Sequence, residues 1–310
     1  MLAGLAGLGL LLTACAPTPG SSRGTAGDGI VDVVASTSVY GDIVSSIGGD
    51  KVRVSSIINR TSQDPHSYEA TTQDKLAVSK AELVVENGGG YDAFMDTLAT
   101  DTGLDHGNVI NAVEVSGMTA ESPASSPDSS GHAHGHTGLN EHVWYSLPAV
   151  SRLADAVAEK LAALEPGSAE TFRTNAASFK ASLGGLETRL AGMKSGDGHV
   201  PVAVTEPVPL YLLEDAGLEN ETPTAYTAAI EEDADVPPAV LKAAVDLIAA
   251  KGVRLLAYNT QTEGPQTVAL KKAAETAGVP VVNFSETLPD GQSYLQWMTG
   301  NVENISKALG

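Results

Sequence analysis

Two series of short β-branched segments alternating with helix-patterned ones, separated by one long stretch of unbroken helical periodicity, constrain this chain more than anything else in it. IVDVVAS (30–36), KVRVSSII (51–58), ELVVENGGG (82–90) and NVINAV (108–113) read as strands, the third ending in a glycine turn. Between them VYGDIVSSIGG (39–49), TQDKLAVSKA (72–81) and YDAFMDTLAT (91–100) carry helical spacing. The rhythm restarts at VPVAVT (200–205). It continues through a proline-opened helix over 207–217, an acidic loop over 229–236, a helix over 237–252 and a strand over 253–259. A helix over 265–278, a strand over 279–284 and a closing helix over 293–309 complete it. Strands that alternate with helices build parallel sheets, because a parallel neighbour is reached only by a crossover. The expected fold is α/β, with two lobes whose parallel sheets are flanked by helices.

What separates the two series is a helix pair. Pro148 suits the first turn of a helix running to about Leu164, and Pro166-Gly167 punctuates it. Residues 168–195 then place Phe172, Ala176, Phe179, Leu183, Leu186, Leu190 and Met193 on one face. At about 1.5 Å per residue, such a helix is about 40 Å long, the length of a domain pair. The expected organisation is an N-terminal lobe over 30–166, a long linker helix over 167–197 and a C-terminal lobe over 198–310. A helix spanning both lobes should resist large hinge rotation. Residues 116–138, poor in apolar side chains and rich in Ser, Pro and Gly, read as a surface loop of the first lobe. No internal repeat is strong enough to quote.

The first residues read as a processing signal. Residues 2–12, LAGLAGLGLLL, are apolar but too few to span a bilayer. They lead into Leu12-Thr13-Ala14-Cys15, which resembles a bacterial lipobox. The expectation is a lipoprotein signal peptide over 1–15, a lipid on the Cys15 thiol and a flexible tether over 16–29. The mature protein would then be extracytoplasmic and anchored to the cell membrane. Cys15 is the only cysteine, which leaves no disulfide and no thiolate metal site. With 38 acidic against 18 basic residues, the net charge of −20 argues against nucleic acid as a partner and draws cations instead.

In open α/β sheets, ligands bind beyond the carboxyl ends of the strands. Four metal-capable side chains fall at such places. His66 lies in the loop after strand 51–58, and His142 stands where order resumes after loop 116–138. Glu206 directly follows VPVAVT, and Glu286 comes two residues after VPVVNF. Each alone is ordinary, since a His or Glu at a strand end more often caps or faces solvent. Together they offer two imidazoles and two carboxylates, a set that suits a borderline divalent cation and balances its charge. No HExxH helix stands out, nor any Ser/His/Asp or Cys/His set, so a binding protein is expected rather than an enzyme. A zinc-dependent hydrolase, with three ligands and a bound water, is the runner-up. A surface adhesin or metal buffer is a third reading.

These segments carry a resemblance. Asp64-Pro65-His66-Ser67-Tyr68-Glu69, Asn140-Glu141-His142-Val143-Trp144 and Asn283-Phe284-Ser285-Glu286-Thr287 resemble motifs of the zinc/manganese solute-binding lipoproteins of bacterial ABC importers, cluster A-I. The likeness runs from about residue 30 to 310. It implies two α/β lobes around a long helix and one metal in the cleft, with His66, His142, Glu206 and Glu286 as ligands. It also implies delivery to an ABC transporter permease by a monomeric protein. Glu206 occupies a position that is often His in zinc members and Glu in manganese members, and Glu286 replaces a common Asp. Zn²⁺ is the expected ion, with Mn²⁺ the alternative.

His132, His134 and His136 alternate in the Gly/Ser-rich loop GHAHGHTG, where several imidazoles can reach one ion. The resemblance implies an accessory zinc-gathering role for them, and imidazole favours Zn²⁺ over Mn²⁺. His106 and His199 are expected to be structural, and Glu231, Glu232, Asp233 and Asp235 to form a solvated loop. Tyr68 and Trp144 are expected to pack beside the site, and Glu69 and Glu141 to orient the histidines.

Overall fold

Val31–Thr37 (β1) is buried at every position but one, as a central strand covered on both faces must be. The computed structural model describes residues 29–118, 139–194 and 199–310. Cys15, His132, His134 and His136 lie outside the described residues, as do the proposed signal peptide and nearly all of the tether and the 116–138 loop. Val52–Ile58 (β2) and Leu83–Glu86 (β3) flank β1 in parallel, with Val33 opposite both Val54 and Leu83. Val109–Asn111 (β4) completes the order β2-β1-β3-β4. The half-exposed alternation of β2 is that of an edge strand.

The second sheet repeats this plan. Val200–Val204 (β5), Leu218–Asn220 (β6), Leu256–Asn259 (β7) and Val281–Phe284 (β8) are parallel in the order β6-β5-β7-β8. Both lobes therefore share one topology, although the sequence shows no repeat. β6 went unanticipated because Leu-Glu-Asn holds one apolar residue; its strand character comes from pairing, Val200 against Leu218.

In the first lobe the helices are Ser38–Gly48 (α1), Thr72–Val78 (α2), Phe94–Thr102 (α3) and Ala112–Ser116 (α4). Leu147–Leu164 (α5) and Ala169–Ala191 (α6) follow. The second lobe has Leu210–Asp215 (α7), Thr224–Glu231 (α8), Pro238–Ala249 (α9), Pro265–Ala277 (α10) and Tyr294–Leu309 (α11). Pro148 sits in the first turn of α5, whose N-terminus is capped by the Ser146 side chain accepting from the Ala149 N–H.

Some boundaries differ from the sequence reading. α6 stops at Ala191, and Met193 packs on the core just beyond it. α7 begins only after Pro207 and Pro209, because a proline disfavours helical geometry in the residue before it. α8 carries helix into the acidic loop as far as Glu231. The strands expected over 253–259 and 108–113 shrink to β7 and β4, and α4 takes up Ala112–Ser116.

The buried face of α6 is the one its spacing predicts: Phe172, Ala176, Phe179, Leu183, Leu186 and Leu190. α6, about 34 Å long, packs on α1 and α5 and on α7 and α11 of the second lobe. One core runs from Val33 and Val85 through these helices to Val204, Ala257 and Ile305. The opposite face of each sheet is covered separately, by Val78 and Met95 in the first lobe and by Tyr226, Ile248 and Leu270 in the second.

Leu183 is fully buried in the shared core. Leu183→Ala should cost about 2–5 kcal/mol, measured by urea denaturation. Unfolding curves from circular dichroism and tryptophan fluorescence should still coincide, whereas two separated transitions would contradict a common core.

Candidate metal centre

Segments following the strand ends of both sheets line one cleft of about 780 Å³, and His66, His142, Glu206 and Glu286 all face it. His66 is carried by a turn that its own motif builds. One Asp64 carboxylate oxygen accepts from the His66 backbone N–H at 3.0 Å and the other from the Ser67 hydroxyl at 2.7 Å. The His66 ring stands edge-on to Tyr91, with centroids 4.9 Å apart, and 6.3 Å from the His142 ring.

His142 is 1% exposed. Its Nδ1 lies 2.6 Å from Asn140 Oδ1, which also accepts from the His142 backbone N–H. Asn140 Nδ2 donates to the Pro207 carbonyl at 3.0 Å, which fixes the orientation of the amide. Nδ1 must therefore donate, leaving the Nε2 lone pair for an ion. Burial pushes the His142 imidazole well below its ordinary pKa, with the charge of His66 adding to this, so the ring is neutral and ready to ligate.

Glu206 and Glu286 are each 4% exposed. Asn259, at the end of β7, holds both: its Nδ2 donates to Glu206 Oε2 and, at 2.8 Å, to Glu286 Oε1. Thr262 donates to Glu206 Oε2, and Tyr91 to Glu286 Oε2 at 3.2 Å. The Gln261 side-chain oxygen accepts from the Glu286 N–H at 2.6 Å, and its amide donates to the Thr61 carbonyl at 2.9 Å in the loop that carries His66. Tyr91 and Gln261 thus join the lobes at the site itself.

Ligand atoms of His66, His142 and Glu286 lie within 4.8 Å of one another. Glu206 is outside that group but shares the cleft and the Asn259 donor with Glu286. Seven carboxylates and two imidazoles line the cleft, and neither Lys nor Arg is among its lining residues. Burial, and next the charge of Glu206, push the Glu286 carboxyl up to about 8. Burial likewise raises Glu206. Two imidazoles beside two carboxylates that resist ionisation fit a divalent cation, which supplies the missing positive charge.

The neighbours expected from the sequence divide. Trp144 packs at 5.1 Å from His142 and is buried. Tyr68 does not pack at the site: its ring lies 4.9 Å from Phe94 and its hydroxyl donates to Asp74. Glu69 is exposed. Asn140, not Glu141, orients His142. Glu231 is no solvated side chain, since it lines the cleft and is pushed up to about 8, by burial first and the charge of Glu141 next; Glu232, Asp233 and Asp235 are exposed. His106 is exposed, and His199 pairs with Glu219 and Glu221. Asn259, Tyr91, Gln261 and Thr262 were missed because none is an expected metal ligand. Asn259 nonetheless ends a predicted strand, where the search for ligands began. The turn that presents Tyr91 needs glycine at Gly88, where φ is +78° and a Cβ would fall 2.1 Å from the Asn111 side chain.

Residues 33–308 match the family described as zinc-uptake complex component A, periplasmic (ZnuA). Among curated relatives, the manganese ABC transporter substrate-binding lipoprotein ScaA of Streptococcus gordonii is 23% identical over 317 residues, covering 96% of this chain and 94% of the relative. A crystal structure of ZnuA superposes with a TM-score of 0.71 at 23% identity, covering 91% of this chain and 100% of that one. The periplasmic zinc-binding protein TroA of Treponema pallidum gives a TM-score of 0.70 at 20% identity, with 91% and 100% covered. At these identities the structural likeness establishes the fold: two α/β lobes with a long connecting helix.

A carboxyl raised in the folded state holds its proton where the unfolded chain has lost it, so folding binds more protons than unfolding between the two pKa values. For Glu286 this window runs from 4.5 to about 8. The metal-free protein should therefore lose stability as pH rises through it, giving a lower Tm at pH 8 than at pH 5.5. A divalent ion should restore the loss and release protons on binding at pH 7, read from the buffer dependence of the calorimetric heat. A rising Tm with no proton release would contradict this electrostatic account.

Proposed function

The chain belongs to the zinc-uptake component A family, and on that premise we propose that it captures extracytoplasmic Zn²⁺ in the interlobe cleft and delivers it to an ABC permease. The family comprises substrate-binding proteins of ABC importers, not enzymes. The observation that carries the reading is the convergence of His66, His142 and Glu286 ligand atoms within 4.8 Å, with Glu206 on the same cleft wall. All four are protein groups, which leaves no coordination position assigned to a reactive water, as capture requires.

Zn²⁺ is favoured over Mn²⁺ by the donor set. Two nitrogens come from the imidazoles. One oxygen of each carboxylate is tied to Asn259, and the second oxygen of Glu286 accepts from Tyr91, which disfavours bidentate binding. Two nitrogens and two oxygens make a tetrahedral set, whereas Mn²⁺ prefers more oxygen donors. The manganese name of the Streptococcus gordonii relative supports the alternative ion. A lipid on Cys15 accords with that relative's being a lipoprotein, and no helix among the described residues is long and apolar enough to cross a membrane. His132, His134 and His136 would add a weak accessory zinc site.

Calorimetry and native mass spectrometry on chelator-treated protein test the reading. One tight Zn²⁺, a second weaker one and poorer Mn²⁺ binding are expected. His142→Ala should lose more than the ~10–100-fold typical of removing an outer partner. The joint change of His132, His134 and His136 to Ala should remove only the weaker ion. Tight Mn²⁺ binding that Zn²⁺ does not displace would assign the protein to manganese, and no tight binding of either would overturn the cleft reading.

A further inference from the structure

A second group of ligand-capable side chains shares His142. Ligand atoms of Glu141, His142 and Glu231 also lie within 4.8 Å of one another. Glu141 is 3% exposed, and its carboxylate carries no hydrogen bond among the described residues. A carboxylate that the fold covers this far while giving it no donor is unfavourable, and here a second carboxylate stands beside it. Glu231 is the last residue of α8, where the helix dipole adds further negative potential. These observations point to a missing cation rather than to a structural hydrogen bond.

Resting on the reading of the cleft as a divalent-cation site, we infer that Glu141, His142 and Glu231 form a second cation position, which the ion occupies on its way to or from the ligand set of His66, His142, Glu206 and Glu286. The two positions are alternatives for one ion. His142 Nδ1 is committed to Asn140, so the ring offers one nitrogen and ligates in one place at a time. Around an ion at ~2.0–2.2 Å, tetrahedral ligand atoms stand about 3.4 Å apart, so closure needs shifts of about an ångström. Glu231 can make them, being partly exposed on the cleft wall at a helix end. Glu141 waits buried beneath Gly89, whose added Cβ would lie 3.3 Å from the Glu141 Cβ. An ion held by Glu231 and Glu141 reaches the deeper set when His142 exchanges partners. No ligand then has to release the ion into water.

The test uses Co²⁺ as probe, because its visible absorption reports nitrogen and oxygen ligation directly. Tight one-to-one binding to the unaltered chain is established first; its absence would fail the cleft reading and this inference with it. His66→Ala should then retain weaker one-to-one Co²⁺ binding with an altered spectrum. In that background Glu231→Gln or Glu141→Gln should weaken the remaining binding by about tenfold or more. Glu232→Gln, a change of equal charge on an exposed neighbour, should not. Circular dichroism establishes that each variant is folded, and Glu231→Gln, at a helix end, serves if Glu141→Gln does not fold. Tight cleft binding in the unaltered chain, with residual binding in His66→Ala indifferent to Glu231 and Glu141 or absent altogether, would overturn the second position while leaving the first intact.

Discussion

Like charges do not share a low-dielectric cavity without something to compensate them, and the cleft between the lobes concentrates carboxylates with neither lysine nor arginine in its lining. Glu206 and Glu286 are deeply buried and hang from one carboxamide, that of Asn259. A single neutral donor group orients two carboxylates but does not neutralise them, and burial raises the pKa of both. In the proposed function, a divalent ion supplies the missing positive charge between the lobes. The same logic extends to Glu141 and Glu231, whose ligand atoms lie with that of His142 within 4.8 Å of one another.

Geometry makes that charge arrangement possible. Two sheets of identical strand order each present carboxyl ends to the cleft. The core through α5 and α6 sets their separation, since it is continuous between the inner faces of both sheets. Polar contacts then refine the site across the gap. Tyr91 of the first lobe reaches Glu286, and Gln261 of the second reaches the His66-bearing loop. His66 is the exposed member of the set and rides on that loop, while His142 is rigidly held by Asn140 and Trp144.

Much of this was legible in the sequence because the signals are periodic. The α6 face from Phe172 to Leu190 follows from 3.6-residue spacing, and the central strands follow from β-branched runs buried on both faces. The four ligand candidates came from asking which metal-capable residues end a strand, a topological rule that needs no coordinates. The rule passed over Asn259 because an amide is a poor ligand, although the residue stands at such an end. β6 and α8 escaped because tertiary pairing and burial, not local pattern, specify them. Adjacency misled for Tyr68, whose backbone turns its ring toward Phe94. The shared topology was invisible because strand order, unlike residue identity, leaves no trace in a sequence.

The central claim is that one divalent cation is held between the lobes by a residue set drawn equally from both. Anomalous diffraction at the zinc edge, from crystals of the Zn²⁺-loaded protein, tests it most directly. The account predicts a strong peak in the cleft at ~2.0–2.2 Å from His66, His142, Glu206 and Glu286. A peak bound by residues of one lobe alone, or lying away from His142, would contradict it.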